Sequence, residues 1–209
     1  MDRSAALALI AHDLKNALGG LETELSQLID EPSPVMAQRA HLHCTDLRRQ
    51  FVQFLTLYSA DQDGLRVLCE DESPLELLQA MQRQWALKLQ LEASPIQIEI
   101  RNPERSPPFW YFDRRLVQLA LDAAIHNAVR FARQHVWLEV EQRDADLVWH
   151  VLDDGSGLGA QDPGQANATG LGQALAEAVA HAHRQGRRRG CATLGPSSEG
   201  GALFTLELP

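Results

Sequence analysis

Residues 11–16 read Ala-His-Asp-Leu-Lys-Asn and lie in a segment whose apolar residues recur in steps of four and three. That spacing predicts a helix over about residues 4–28, packed along one apolar stripe. The stripe comprises Leu7, Ala11, Leu14, Leu18, Leu21, Leu25 and Leu28. His12 falls one position beside it, so its imidazole is expected to face solvent. Asp13 follows directly, and Asn16 shares the His12 face one turn further on.

A second stripe with the same spacing predicts a second helix, beyond a break at Asp30-Glu31-Pro32-Ser33-Pro34. Its members are Ala40, Cys44, Leu47, Phe51, Phe54 and Tyr58. Two such helices form a hairpin, and one hairpin cannot bury both apolar faces by itself. Two copies make a closed four-helix bundle, so we expect a homodimer through residues 1–60. Residues 61–73 are polar and predict a linker with one short strand at 65–68.

The remaining residues, 74–209, predict helices and strands in the order α-β-α-β-β-α-β-β, which favours an α/β sandwich. Ser73 followed by Pro74 and Glu76 marks the start of the first of these helices. Further helices are predicted over 113–132 and 170–183. Strands are predicted at 96–100, 136–140, 147–151, 191–194 and 202–208.

The amino-acid composition argues against a nucleic-acid-binding, membrane-spanning or secreted protein. The chain has 209 residues, is 44% hydrophobic and carries a net charge of −9, which argues against nucleic acid as a partner. No apolar run approaches the roughly 20 residues that span a bilayer, and no signal peptide is evident. Three scattered cysteines without metal-ligand spacing indicate a reducing compartment, so we expect a cytoplasmic protein. Arg187-Arg188-Arg189 is the densest basic run and is interpreted as a solvated helix end or turn.

Three short motifs follow in order along residues 74–209. They are Ile125-His126-Asn127-Ala128-Val129-Arg130-Phe131, Asp153-Asp154-Gly155-Ser156-Gly157-Leu158-Gly159 and Ala168-Thr169-Gly170-Leu171-Gly172, and the chain ends with a glycine pair and a strand, 200–209. Glycines let a backbone approach a ligand closely, and the N-terminus of a helix favours anionic oxygens. Taken singly, each motif also fits a surface helix, a plain turn or a helix cap.

Taken together, the motifs resemble those of bacterial two-component sensor histidine kinases. His12-Asp13-Leu14-Lys15-Asn16 resembles the phosphoacceptor motif, and the later motifs resemble the N, G1 and G2 boxes of the catalytic ATP-binding domain, a fold shared with gyrase-type ATPases. The resemblance covers the whole chain and implies a helical hairpin forming a dimeric four-helix bundle, then an α/β sandwich ATP-binding domain at 74–209. No sensor region is expected before His12.

The resemblance also implies roles for single residues. His12 would take the γ-phosphoryl group of ATP and pass it to an aspartate of a response-regulator receiver domain. Asp13 would accept a proton from the imidazole or orient it, and Asn16 would orient water that dephosphorylates the regulator. Asn127 would bind Mg²⁺, and Asp153 would accept a hydrogen bond from the adenine amino group. The other nucleotide-binding residues implied are Arg130, Gly155, Gly157, Thr169, Gly170, Leu171 and Gly172.

Departures from the family pattern leave alternatives open. Ala123 stands where the N box has a first asparagine, Ala168 replaces the first G2 glycine, and the lid segment 160–168 is short and lacks an aromatic residue. An ATP-using kinase is the favoured interpretation. The alternatives are a histidine phosphotransferase that relays phosphate between receiver domains without ATP, and a non-catalytic regulatory binding protein.

Overall fold

The structure is a computed structural model that describes residues 3–62, 64–157 and 170–209, with side chains of the first helix from residue 11 onward. The chain divides into two compact units. One is formed chiefly by Met1–Gly64, and the other by Leu65–Ala166 and Gly172–Pro209.

The first unit is a helical hairpin. Helix α1 spans Arg3–Asp30 and helix α2 spans Pro34–Gln62, so the break falls in the proline-containing segment as predicted. The buried core of the hairpin consists of Leu14, Leu21, Ala40 and Leu47, with Ala17 and Phe54 packed at its edge.

Each helix of the hairpin carries two apolar rows, and only one of them packs against the other helix. Residues seven apart lie on the same row. The buried rows contain Leu14 and Leu21 on α1 and Ala40 and Leu47 on α2. The other rows stay 40–49% exposed and contain Leu18 and Leu25 on α1 and Phe51 and Tyr58 on α2. The single stripe predicted for each helix is therefore split, and half of it remains uncovered within one chain.

The second unit is an α/β domain built on a five-stranded sheet of order β2-β4-β5-β9-β8. Its elements are β1 (Glu70–Glu72), α3 (Pro74–Leu91), β2 (Gln97–Ile100), β3 (Trp110–Phe112), α4 (Arg114–Phe131), β4 (His135–Arg143), β5 (Asp146–Asp153), α5 (Leu171–Ala182), β6 (Arg184–Gln185), β7 (Arg188–Arg189), β8 (Cys191–Pro196) and β9 (Ala202–Leu208). Strands β2 and β4 are parallel, and the other neighbours are antiparallel. Helices α3 and α4 pack on this sheet. The predicted α/β sandwich is confirmed.

The structure corrects the prediction of a strand at 65–68. The strand is β1 at Glu70–Glu72, and it pairs with β3, a strand that the sequence pattern did not predict. The backbone N–H of Leu68 donates instead to the carboxylate of Asp113 (N···Oδ2 2.8 Å). A side chain therefore takes the hydrogen bond that a strand neighbour would have used.

Asp113 and His183 link the start of α4 to the end of α5. The Asp113 carboxylate caps α4 by accepting the backbone N–H groups of Arg115 (3.0 Å) and Leu116 (3.2 Å). The backbone N–H of Asp113 donates to Nε2 of His183 (3.1 Å), and Nδ1 of His183 donates to the carbonyl of Val179 (2.8 Å). The bond from the Asp113 N–H needs a lone pair on Nε2 and therefore a neutral ring, and burial lowers the pKa of His183 although the bond to Val179 acts in the opposite direction.

We expect this imidazole to make the fold sensitive to acid. Because the pKa is lowered in the folded state, the unfolded chain binds a proton first as the pH falls below about 6.5. Stability is therefore full above that pH and declines below it, by at most about 1.4 kcal/mol per pH unit for one proton. Urea unfolding at pH 7.5 and 5.5 should show a smaller loss for His183→Gln than for the native protein. An equal loss in both proteins would contradict the assignment.

Candidate functional site

His12 projects from α1 with its side chain 64% exposed. Its Nδ1 atom lies 3.4 Å from Oδ1 of Asp13 and 3.2 Å from Nδ2 of Asn16. Its Nε2 atom has no hydrogen-bond partner among the described residues. The structure thus brings the three predicted residues of this motif together around one ring nitrogen and leaves the other nitrogen accessible.

The two contacts at Nδ1 favour different tautomers of His12. Asp13 can only accept, so its contact requires a proton on Nδ1 and leaves a lone pair on Nε2. The amide nitrogen of Asn16 donates, so its contact requires a lone pair on Nδ1 and puts the proton on Nε2. Turning the Asn16 amide by 180° would present its oxygen as an acceptor instead. Nε2 is therefore nucleophilic when Nδ1 carries the proton and faces a hydrogen-bond acceptor. Asp13 is the charged acceptor at that position.

Asp153 is the last residue of β5 and is only 4% exposed. Its carboxylate accepts the backbone N–H of Gly155 (2.8 Å) and also that of Ala202. Burial raises the pKa of Asp153, while these two bonds act in the opposite direction. The predicted adenine-binding carboxylate is therefore a buried acceptor held at the junction of β5 and β9.

Close backbone packing around Asp153 depends on two glycines. A Cβ atom at Gly201 would overlap both the carbonyl oxygen and Oδ1 of Asp153, and one at Gly155 would overlap the carbonyl oxygen of Phe131. Gly157 has a φ of +81° and lies against the carbonyl of Gly200. Gly201 was not among the predicted site residues. The glycine pair ahead of the last strand was its sequence signal.

Asp154 has a different role from its neighbour. Its carboxylate accepts the backbone N–H groups of Arg133 (2.8 Å), Gln134 (3.1 Å) and His135 (3.1 Å), which connect α4 to β4. Burial alone would raise the pKa of Asp154, but these bonds outweigh it and lower the pKa. Asp154 holds the loop between α4 and β4, which leaves Asp153 as the carboxylate of the pair placed at the glycine-rich backbone.

Asn127 and the start of α5 lie next to each other. A Cβ atom at Gly172 would be 3.6 Å from Nδ2 of the exposed Asn127 and 3.4 Å from Cβ of Ala123. Ala123, which replaces the first asparagine of the family motif, is buried beneath this contact. Asn127 and Gly172 were both predicted to belong to the nucleotide site, and the structure places them close to each other.

The remaining predicted site residues are placed as follows. Arg130 lies near the end of α4 with its guanidinium 5.9 Å from the ring centre of Phe131. Gly170 has a φ of +64° and directly precedes Leu171, the first residue of α5. Thr169 and the lid segment 160–168 lie outside the described residues. Within the described ranges, no three His, Cys, Asp or Glu side chains converge on a metal position.

Solved structures of other proteins share this architecture. The histidine kinase AdeS of Acinetobacter baumannii superposes with a TM-score of 0.70 at 20% identity, over 94% of this chain and 96% of that chain. The ATP-binding domain of PrrB from Mycobacterium tuberculosis matches with a TM-score of 0.52 at 25% identity, over 68% of this chain and 96% of that domain. The chain has the fold of a sensor histidine kinase.

A third histidine kinase structure matches both units of the chain. It is ThkA, solved in complex with the response regulator TrrA, with a TM-score of 0.67 at 13% identity, over 97% of this chain and 60% of that chain. No protein-family model matches the sequence, and no curated protein is significantly similar to it. The resemblance inferred from the motifs is confirmed as a shared histidine kinase fold. None of the described helices is long and apolar enough to cross a bilayer.

Proposed function

We propose that the protein is a histidine kinase that phosphorylates His12 from ATP and passes the phosphoryl group to an aspartate of a response-regulator receiver domain. One observation carries the proposal. An exposed imidazole has a carboxylate at Nδ1 and an accessible Nε2, in a chain whose other unit holds the buried Asp153 among close-packed glycines. The histidine kinase fold, and the neighbour solved with its response regulator, support this assignment.

The residues around Asp153 fit an adenine base. A buried carboxylate is a strong acceptor for an exocyclic amino group, and the absence of side chains at Gly155 and Gly201 lets the backbone pack closely around Asp153 and hold that carboxylate in place. The phosphates would lie toward the start of α5, where helix N–H groups stabilise anionic oxygens. The residues proposed to hold them are Asn127, Arg130, Thr169, Gly170, Leu171 and Gly172. Mg²⁺ would neutralise phosphate charge there, with the Asn127 carbonyl oxygen as its protein ligand.

The proposed reaction is an in-line phosphoryl transfer. The Nε2 lone pair of His12 attacks the γ-phosphorus, an N–P bond forms, and the bond to the bridging oxygen of ADP breaks. Asp13 accepts a hydrogen bond from Nδ1–H, stabilises the positive charge that develops on the ring as the N–P bond forms, and accepts the Nδ1 proton. The receiver aspartate later attacks the same phosphorus and releases the imidazole.

A homodimer through residues 1–60 is part of the proposal. The uncovered rows of the hairpin, at Leu18, Leu25, Phe51 and Tyr58, are 40–49% exposed in one chain. A second hairpin packed on these rows would complete a four-helix core by burying apolar side chains. Sedimentation of the protein as a monomer at micromolar concentration would contradict the proposed dimer but not the proposed phosphoryl transfer.

Substitutions at Asp13 and Asn16 should separate two activities. Asp13→Ala removes the charged acceptor at Nδ1 and should slow His12 phosphorylation by about 10²-fold. Asn16→Ala removes a contact that competes for Nδ1, so it should leave phosphorylation within about twofold while impairing dephosphorylation of the receiver. Initial rates with [γ-³²P]ATP and with a pre-phosphorylated receiver measure the two effects. The reverse pattern would exclude these roles.

A phosphotransferase that does not use ATP is the second candidate. The buried Ala123, standing where the family motif has an amide, favours it because one polar side chain is missing next to Asn127. Incubation with [γ-³²P]ATP and Mg²⁺, beside incubation with a phosphorylated receiver, tests both functions. Acid-labile, base-stable label from ATP supports the kinase. Label that arrives only from the receiver supports the phosphotransferase and overturns the kinase.

A further inference from the structure

Four of the 19 Lys and Arg residues lie within six consecutive positions, 184–189. They form a small antiparallel hairpin of β6 and β7, turned at Gly186 and Arg187. All four arginines are exposed. The sequence pattern indicated a solvated helix end or turn here, whereas the structure shows an ordered two-stranded hairpin in a chain that is otherwise strongly acidic.

The hairpin has far more positive charge than its neighbours neutralise. Arg188 donates to Oδ1 of Asp146 and to the carbonyl of Ala145 (3.2 Å). Arg184 donates through Nε to the carbonyl of His181 (3.2 Å). The side chains of Arg187 and Arg189 have no partner among the described residues. Among the described residues, Asp146 is therefore the one carboxylate paired with these four guanidinium groups.

The pairing register places two of these charges side by side. Arg184 lies directly opposite Arg189, and Gln185 lies opposite Arg188. Residues opposite each other across an antiparallel pair point to the same face, and like charges there destabilise the pair. A carboxylate bound between Arg184 and Arg189 would remove that repulsion and accept several N–H donors at once.

The hairpin is remote from the nucleotide site. Arg188 is held by Asp146, the first residue of β5, whereas Asp153 is the last residue of the same strand. Seven residue steps along a strand cover about 23 Å. The arginines therefore do not serve the phosphates of a nucleotide bound at Asp153.

We propose that the β6–β7 hairpin is a docking surface for an acidic patch on a partner protein. The surface is small, with two residues in each strand. The net charge of −9 opposes binding of an extended polyanion such as duplex DNA or an anionic membrane. A short acidic segment or patch with a few glutamate or aspartate side chains would have the size and the charge to contact the arginines.

Binding of a fluorescein-labelled octaglutamate peptide to the full chain tests this surface by anisotropy. We expect Arg187→Gln/Arg189→Gln to bind at least fivefold more weakly than the native protein. The matched control, Arg66→Gln/Arg83→Gln, has the same net charge, also loses two exposed arginines of this unit, and should bind as the native protein does. Equal binding by the hairpin variant and the control would overturn the proposal. So would hairpin-dependent binding of a 20-base-pair DNA duplex or of phosphatidylserine vesicles in place of the peptide.

Arg189→Glu separates docking from folding. It places opposite charges at the Arg184 pair, so we expect the melting temperature to rise by up to about 3 °C while peptide binding falls at least fivefold. A lowered melting temperature with binding retained would show that the arginines have a structural role only.

Discussion

His12→Gln should incorporate no ³²P from [γ-³²P]ATP above background under conditions that label the native protein. Glutamine is polar and of similar length but has no ring nitrogen that attacks phosphorus. Because His12 is 64% exposed and its bonds are to the adjacent Asp13 and to Asn16 one helix turn away, its removal should change the free energy of unfolding by no more than about 0.5 kcal/mol. Loss of label is therefore not an effect of unfolding.

His41→Gln is the matched control for this experiment. His41 is likewise an exposed histidine of the helical hairpin, on α2. It should keep full labelling. If the label persisted in His12→Gln and was lost in His41→Gln, the phosphoacceptor would be on α2 instead of α1. Label lost in both variants, with both folded, would show that His12 is not the specific acceptor.

Gly201→Ala should reduce ATP affinity by more than tenfold and lower the stability of the α/β domain by about 1–3 kcal/mol. The added Cβ meets the backbone carbonyl oxygen of Asp153, which cannot move without the strand, and its Oδ1 atom, which is held by the N–H of Gly155. The junction of β5 and β9 must open, which displaces the carboxylate proposed to bind adenine. Thermal shifts with and without ATP and Mg²⁺ measure both effects.

Gly195→Ala provides the control, since a Cβ at that position of β8 meets nothing within 4 Å. It should leave ATP binding unchanged. Asp153→Asn covers the case in which Gly201→Ala fails to fold, because the amide oxygen can still accept the N–H of Gly155 while the charge is lost. Unchanged ATP binding in a folded Asp153→Asn variant would remove Asp153 from the nucleotide site.

Local rules predicted the long elements well. The apolar stripes identified α1 and α2, and Ser73 caps α3 by accepting the backbone N–H of Glu76 as its sequence context indicated. The alternating strands β4 and β5 also follow their pattern. The short strands β1, β3, β6 and β7 were missed because two or three residues carry no periodicity, and β1 finds its partner about 40 positions away.

The sequence by itself determined the order of the motifs, the two-part organisation and the His12-Asp13-Asn16 cluster. All three residues of that cluster lie within two helix turns, so backbone geometry alone brings them together. The motif resemblance already singled out Asp153, but only the tertiary structure decided which backbone N–H groups Asp153 and Asp154 accept, and that Gly201 packs against Asp153. Those outcomes depend on contacts between β5, β9 and the end of α4, which are distant from one another in the sequence. In the fold, Asp153 accepts the N–H of Gly155 and packs against Gly201, whereas Asp154 accepts the N–H of Arg133.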